Sequence, residues 1–140
     1  MQAELGGRME AMISGGAPLN KETQEFVKVC FGNISQGYGL TETCGGLSIQ
    51  PLDKFSTGNV GHVLPSCEVK LESVPDMKYF AIPKEKGKQP EGEILIRGHN
   101  VSAGYYKNEK KTNEEWVDGW FHTGGKEKKL FYHINHMINF

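Results

Sequence analysis

Residues 9–38, MEAMISGGAPLNKETQEFVKVCFGNISQGY, decide the fold. Residues 9–14, MEAMIS, form a short apolar run that ends at Gly15-Gly16, the pattern of a buried strand entering a glycine-rich loop. Pro18 interrupts the backbone pattern, and Asn20 is the residue type that caps a helix N-terminus. Between residues 21 and 31, Phe26, Val27, Cys30 and Phe31 recur at helical spacing, and Gly32-Asn33 is a stop signal. Residues 34–38 read as a second short strand. Strand, loop, helix and strand make a βαβ unit, for which parallel pairing is expected. This unit carries two glycine-rich loops, 15–16 and 37–39, to the C-terminal ends of its strands. Open α/β sheets bind ligands at that edge.

The second of these loops opens the octapeptide QGYGLTET, residues 36–43. Two readings fit it. In one, Gly-Tyr-Gly is a plain turn and Thr41 a helix cap. In the other, the glycines let a flat ligand or a phosphate approach the backbone. The Tyr38 ring lies against a nucleobase, and the Thr41 hydroxyl donates to a phosphate oxygen. The Glu42 carboxylate then holds Mg²⁺, an oxygen-seeking ion that bridges phosphates.

Downstream the character changes. Residues 60–63, 68–73 and 93–97 are short and partly alternating, as in antiparallel strands of a small sheet or barrel. PKEKGKQPEG, residues 83–92, is charged, has prolines at both ends and reads as a solvated loop. Residues 107–116 favour one helix, and DGWFHTGG, 118–125, a turn and short strand. In the tail, KEKKLFYHINHMINF, residues 126–140, His133 and His136 stand at a spacing that can share a helix face. Two histidines without a third ligand are weak grounds for a metal site.

With 140 residues the chain suffices for one small domain or a piece of a larger one. Its 18 glycines imply much loop, and 37% apolar residues is low for a compact domain. Sixteen basic against 17 acidic residues argue against nucleic-acid binding, which needs clustered cations. Cys30, Cys44 and Cys67 are odd in number and widely spaced, so reduced thiols inside the cell are expected rather than disulfides or zinc. Residues 1–7 lack the features of a signal peptide, and no apolar run reaches the length that spans a bilayer.

Four stretches, SGGAPL (14–19), QGYGLTET (36–43), GEILIRGHNVSAGYYKN (92–108) and DGWFHTG (118–124), occur in one order. In that order they resemble the adenylate-forming enzymes, most closely the eukaryotic long-chain acyl-CoA synthetases, over about residues 5–124 of 140. GYYKNEKKT (104–112) and EVKLESVPDMKYF (68–80) look more like the long-chain branch than a medium-chain or coumarate ligase.

The resemblance implies an α/β fold. It would be the C-terminal part of an adenylating N-terminal domain, with a partial parallel sheet and helix, then a small antiparallel barrel-like subdomain. Residues 1–125 would be this partial domain, with an α/β part at 1–50 and a β-rich part at 51–125, and residues 126–140 a divergent tail. The implied chemistry uses ATP, Mg²⁺, coenzyme A and a long-chain fatty acid. The acid attacks the α-phosphate of ATP, and the coenzyme A thiol then displaces AMP. Carried over by motif, Gly16, Ala17 and Pro18 line the adenine pocket, Gln36, Gly37, Tyr38 and Gly39 contact the nucleotide, Thr41 donates to the α-phosphate, and Glu42 ligates Mg²⁺. Gly45, Gly46 and Leu47 either border the acyl tunnel or form a plain loop entering a strand.

The resemblance also implies an intracellular parent, on the cytosolic face of the endoplasmic reticulum or another organelle. The phosphate loop ending in Pro-Lys, the basic hinge and the adenylation lysine of the family are not found in this chain. Where the family has a ribose-binding aspartate after HTG, this chain has Gly125. The expectation is therefore a central fragment of a synthetase, inactive alone; a non-catalytic binding or interaction form is the alternative from a different class.

Overall fold

The computed structural model describes residues 2–54, 56–83 and 85–124. The βαβ unit is present. Strands β1 (Ala11–Ser14) and β2 (Asn33–Tyr38) pair in parallel, with Met12 opposite Ile34 and Ser14 opposite Gln36. Helix α1 (Lys21–Cys30) connects them. Asn20 starts it: its side-chain oxygen accepts the Glu22 N–H at 2.8 Å, satisfying a donor with no partner inside the helix.

The first strand is not buried as its apolar run suggests. Among the described residues it lies at the sheet edge with a hydrogen-bonded neighbour on one side only, and Ile13 is 69% exposed. Beyond β2 the sheet continues antiparallel through β3 (Ser48–Ile49) and β4 (His62–Val63), in the order β1-β2-β3-β4. Residues 60–63 thus supply a strand to the first sheet and not to the second. Gly61 explains the pairing. It sits at φ +79°, and a Cβ there would fall 2.0 Å from the Ile49 backbone, so only glycine lets the two strands touch.

The second sheet contains β5 (Cys67–Glu72), β6 (Glu93–Gly98), β7 (Trp116–Val117) and β8 (Trp120–His122), in the order β5-β6-β8-β7 with every pair antiparallel. Among the described residues it is open, with β5 and β7 as its edges, and does not close into the barrel-like subdomain expected from the sequence. The β7–β8 hairpin turns on Asp118 (φ 51°) and Gly119 (φ 76°), the two consecutive positive φ angles of a tight type I′ connection. Helix α2 (Glu109–Glu115) precedes it, capped by Asn108, whose side-chain oxygen accepts the Lys111 N–H at 3.2 Å.

One core joins the sheets. Leu47 and Val60 from the first sheet's connections pack with Tyr79, Ile94, Ile96 and Phe121. On β6, Ile94 and Ile96 face this core while Leu95, pointing the other way, is also only 1% exposed, so the central strand is covered on both faces. Among the described residues no helix is long and apolar enough to cross a membrane.

Candidate functional site

The ends of β1 and β2 open onto a cleft of 730 Å³, whose walls include Gly16, Gly37, Gly39, Thr41 and Gly45. Its floor is a short, tightly tied loop. After Gly39 the chain makes a 3₁₀ turn at Thr41–Thr43. The Thr43 hydroxyl accepts the Leu40 N–H at 2.9 Å and donates back to the Leu40 carbonyl at 3.0 Å. Asn100, from the distant segment after β6, donates to the carbonyls of Thr43 (3.2 Å) and Gly46 (2.5 Å). A Cβ on Gly39 would meet the Gly45 carbonyl oxygen at 2.1 Å. The missing side chain at 39 is therefore needed for the loop to fold back on itself.

This loop turns consecutive residues in different directions. Thr41 is exposed and lines the cleft. Glu42 is half-buried and held twice. Its backbone carbonyl accepts the Ser102 N–H at 2.7 Å, and its Oε1 accepts the Tyr105 hydroxyl at 2.6 Å. The Tyr105 oxygen also lies 2.5 Å from Glu115 Oε2. Burial, followed by the two carboxylates, pushes the Tyr105 pKa well above the usual phenol value, so the hydroxyl stays protonated. Lys111 partly balances this charge, with Nζ 3.4 Å from Glu115 Oε1 and 4.5 Å from the Tyr105 ring centre. Glu42 Oε2 carries no hydrogen bond among the described residues. A carboxylate with one oxygen anchored and one free suits Mg²⁺, which is held by one or two protein carboxylates together with substrate phosphates.

Tyr38 lies partly buried against the core cluster. Its hydroxyl is buried without a partner among the described residues, and burial, then the nearby Glu42 charge, raise its pKa to about 12. A buried hydroxyl in this state loses its water without gaining a bond. Gln36 is 2% exposed and committed inside the fold. Its side-chain oxygen accepts the Leu19 N–H at 2.5 Å, and its side-chain nitrogen donates to the Asn59 carbonyl at 2.9 Å. Gln36 thus ties down the β1–α1 loop, on which Ala17 and Pro18 are exposed. Gly46 also lines the cleft, whereas Leu47 is wholly buried in the core. Gly125, His133 and His136 lie outside the described residues.

Of the residues singled out in the sequence, Gly16, Gly37, Gly39 and Thr41 meet around one cleft, whereas Ala17, Pro18, Gln36, Tyr38 and Glu42 are not among its walls. The supports Asn100, Ser102 and Tyr105 stand in HNVSAGYY, residues 99–106, where no local spacing says that Tyr105 reaches a residue 63 positions earlier.

The family described as AMP-binding enzyme matches residues 1–106. Fatty acyl-CoA synthetase A of Dictyostelium discoideum is 46% identical over 122 residues, 86% of this chain and 18% of that protein. Long chain acyl-CoA synthetase 2 of Arabidopsis thaliana is 44% identical over 122 residues, with the same coverage of both chains. Among solved structures, the A domain of carboxylic acid reductase from Segniliparus rugosus, in complex with AMP and a co-purified carboxylic acid, superposes with a TM-score of 0.66. It is 31% identical, over 86% of this chain and 17% of that one. The chain therefore spans about a fifth of the length of the curated relatives it matches.

Proposed function

The chain belongs to the AMP-binding enzyme family, and on that premise we propose that it is part of a ligase converting long-chain fatty acids to acyl-CoA. In the first half-reaction a fatty carboxylate oxygen bonds to the α-phosphorus of ATP, and the bond to the bridging oxygen breaks, releasing pyrophosphate. In the second, the coenzyme A sulfur bonds to the acyl carbon, the carbon–oxygen bond to AMP breaks, and the thiol proton passes to solvent. Positioning and charge stabilisation dominate such chemistry.

In this reading the cleft receives the nucleotide. Gly16, Ala17 and Pro18 border the base, and the Tyr38 ring lies against it. Gly37 and Gly39 keep the wall low. The Thr41 hydroxyl donates to the α-phosphate, and Glu42 holds Mg²⁺, which would neutralise phosphate charge when bound. The observation that carries the proposal is the pairing of Thr41, exposed at the cleft, with Glu42, locked by Ser102 and Tyr105 with one oxygen free. The names of the relatives support a fatty acid as the acyl donor. We further propose, on the resemblance to long-chain acyl-CoA synthetases alone, an intracellular full-length protein on the cytosolic face of the endoplasmic reticulum or another organelle membrane.

A full-length synthetase carrying this segment, assayed with acids of graded length, tests the acyl assignment. Turnover should peak on long chains. A preference for short or aromatic acids with none on long chains would transfer the segment to a medium-chain or coumarate-type ligase.

A further inference from the structure

Three metal-ligating side chains gather away from the cleft, on the outer face of the second sheet. Glu72 and Glu93 stand directly opposite each other in the β5–β6 register. His122, on β8, completes the group. Its Nδ1 lies 3.7 Å from Glu93 Oε2 and 4.0 Å from Glu72 Oε2, and one ligand atom from each of the three falls within 4.8 Å of the others. We propose that Glu72, Glu93 and His122 form a binding site for a divalent transition-metal ion of the Zn²⁺ type, with a position left open for water.

The strand pairing poses the problem that a cation solves. Like charges directly opposite on neighbouring strands repel. The cations elsewhere on this face are engaged: Arg97 pairs with Glu68 at 2.6 Å, and both Lys70 and Arg97 lie over the Trp120 ring. Among the described residues neither Glu72 nor Glu93 pairs with a lysine or arginine.

Donor spacing and orientation suit a metal. The imidazole–carboxylate separations are too long for hydrogen bonds. Ligands bonded to one Zn²⁺ at about 2.0–2.2 Å stand roughly 3–4 Å apart. Glu93 is already oriented, because its Oε1 accepts the Gly124 N–H at 2.9 Å, which leaves Oε2 toward His122. Such an outer hydrogen bond fixes a ligating carboxylate. Two carboxylates and an imidazole favour a borderline ion over Mg²⁺, which prefers oxygen and water.

The test titrates the metal-stripped 140-residue chain with Zn²⁺ in excess Mg²⁺, while the assigned His122 imidazole resonances are followed. The expected result is a saturable shift complete at one equivalent. Glu93→Gln should weaken it by at least about tenfold. Glu72→Gln should do the same, and because Glu72 is exposed this variant keeps the fold. Glu10→Gln, at an exposed carboxylate outside the cluster, should leave it unchanged. A His122 resonance that does not move, or a titration unaltered in Glu72→Gln and Glu93→Gln, overturns the proposal. This site stands independently of the nucleotide reading.

Discussion

Tyr105 shares a single proton between Glu42 and Glu115, and the consequences of removing that hydroxyl can be stated. Tyr105→Phe leaves two carboxylates facing each other across an apolar edge. The hydroxyl's bonds are to charged groups, so the loss should be about 1.5–3 kcal/mol, read by urea unfolding. In a full-length synthetase the same change should lower the adenylation rate while leaving the Michaelis constant for the fatty acid near its original value, because it disturbs Glu42 rather than the acyl site. Glu42→Gln keeps the shape and removes the charge. It should reduce pyrophosphate release far more than it reduces stability; unaltered release would remove Glu42 from the metal role. Tyr38 gives a prediction with a definite sign. Its folded pKa is raised to about 12 from 10, so the folded state favours the neutral phenol. That contribution is fully present below pH 10 and is lost as pH rises through about 12. Unfolding midpoints should therefore fall across this window in the wild-type chain and fall less in Tyr38→Phe. The sequence showed Thr41 and Glu42 because hydroxyl, carboxylate and glycine stand side by side. It hid the engagement of Gln36, because an amide side chain reads alike whether it meets a ligand or the Leu19 backbone.

At the scale of elements, local signals were legible and distant partners were not. The β1–α1–β2 unit announced itself through an apolar run, an Asn cap, helical spacing and a Gly-Asn stop, all within 30 residues. The Asp-Gly turn of the second sheet was readable for the same reason. The allegiance of β4 was not, since a two-residue strand has too little pattern to name its neighbour, and the choice depends on Gly61 meeting Ile49. Nor does alternation distinguish an open sheet from a barrel, because both bury every second residue. Gly39 tests the tight loop. Gly39→Ala drives a methyl group into the Gly45 carbonyl at 2.1 Å, a backbone contact that cannot swing aside. It should destabilise the chain by about 3 kcal/mol, at the upper end for single substitutions. An unfolding midpoint equal to wild type would mean that the loop is not closed in this way.

As a whole, the molecule is two sheets sharing one core, with the candidate nucleotide cleft at the edge of the first and the metal-ligand cluster on the outer face of the second. The family could be read from four ordered motifs. The distances that make them a site come from contacts such as Asn100 to Gly46 and Tyr105 to Glu42, which span more than 50 positions. On the proposed function, purified chain with ATP, Mg²⁺, coenzyme A and palmitate is expected to give no thioester, since Gly125 stands where the resemblance places a ribose-binding acid. Without the two hydrogen bonds that such an acid would accept, nucleotide binding should be weaker by roughly one to three orders of magnitude, allowing for non-additivity. Binding weakened to that degree is still measurable. The most direct measurement is therefore titration of the isotope-labelled chain with a non-hydrolysable acyl-adenylate analogue at millimolar concentration, following backbone amides. The nucleotide reading predicts saturable shifts centred on Gly16, Gly39 and Thr41, weakened in Thr41→Ala. Absence of shifts at those residues, or shifts confined to the separate 750 Å³ cleft beside Gly104 and Asn113, would contradict it.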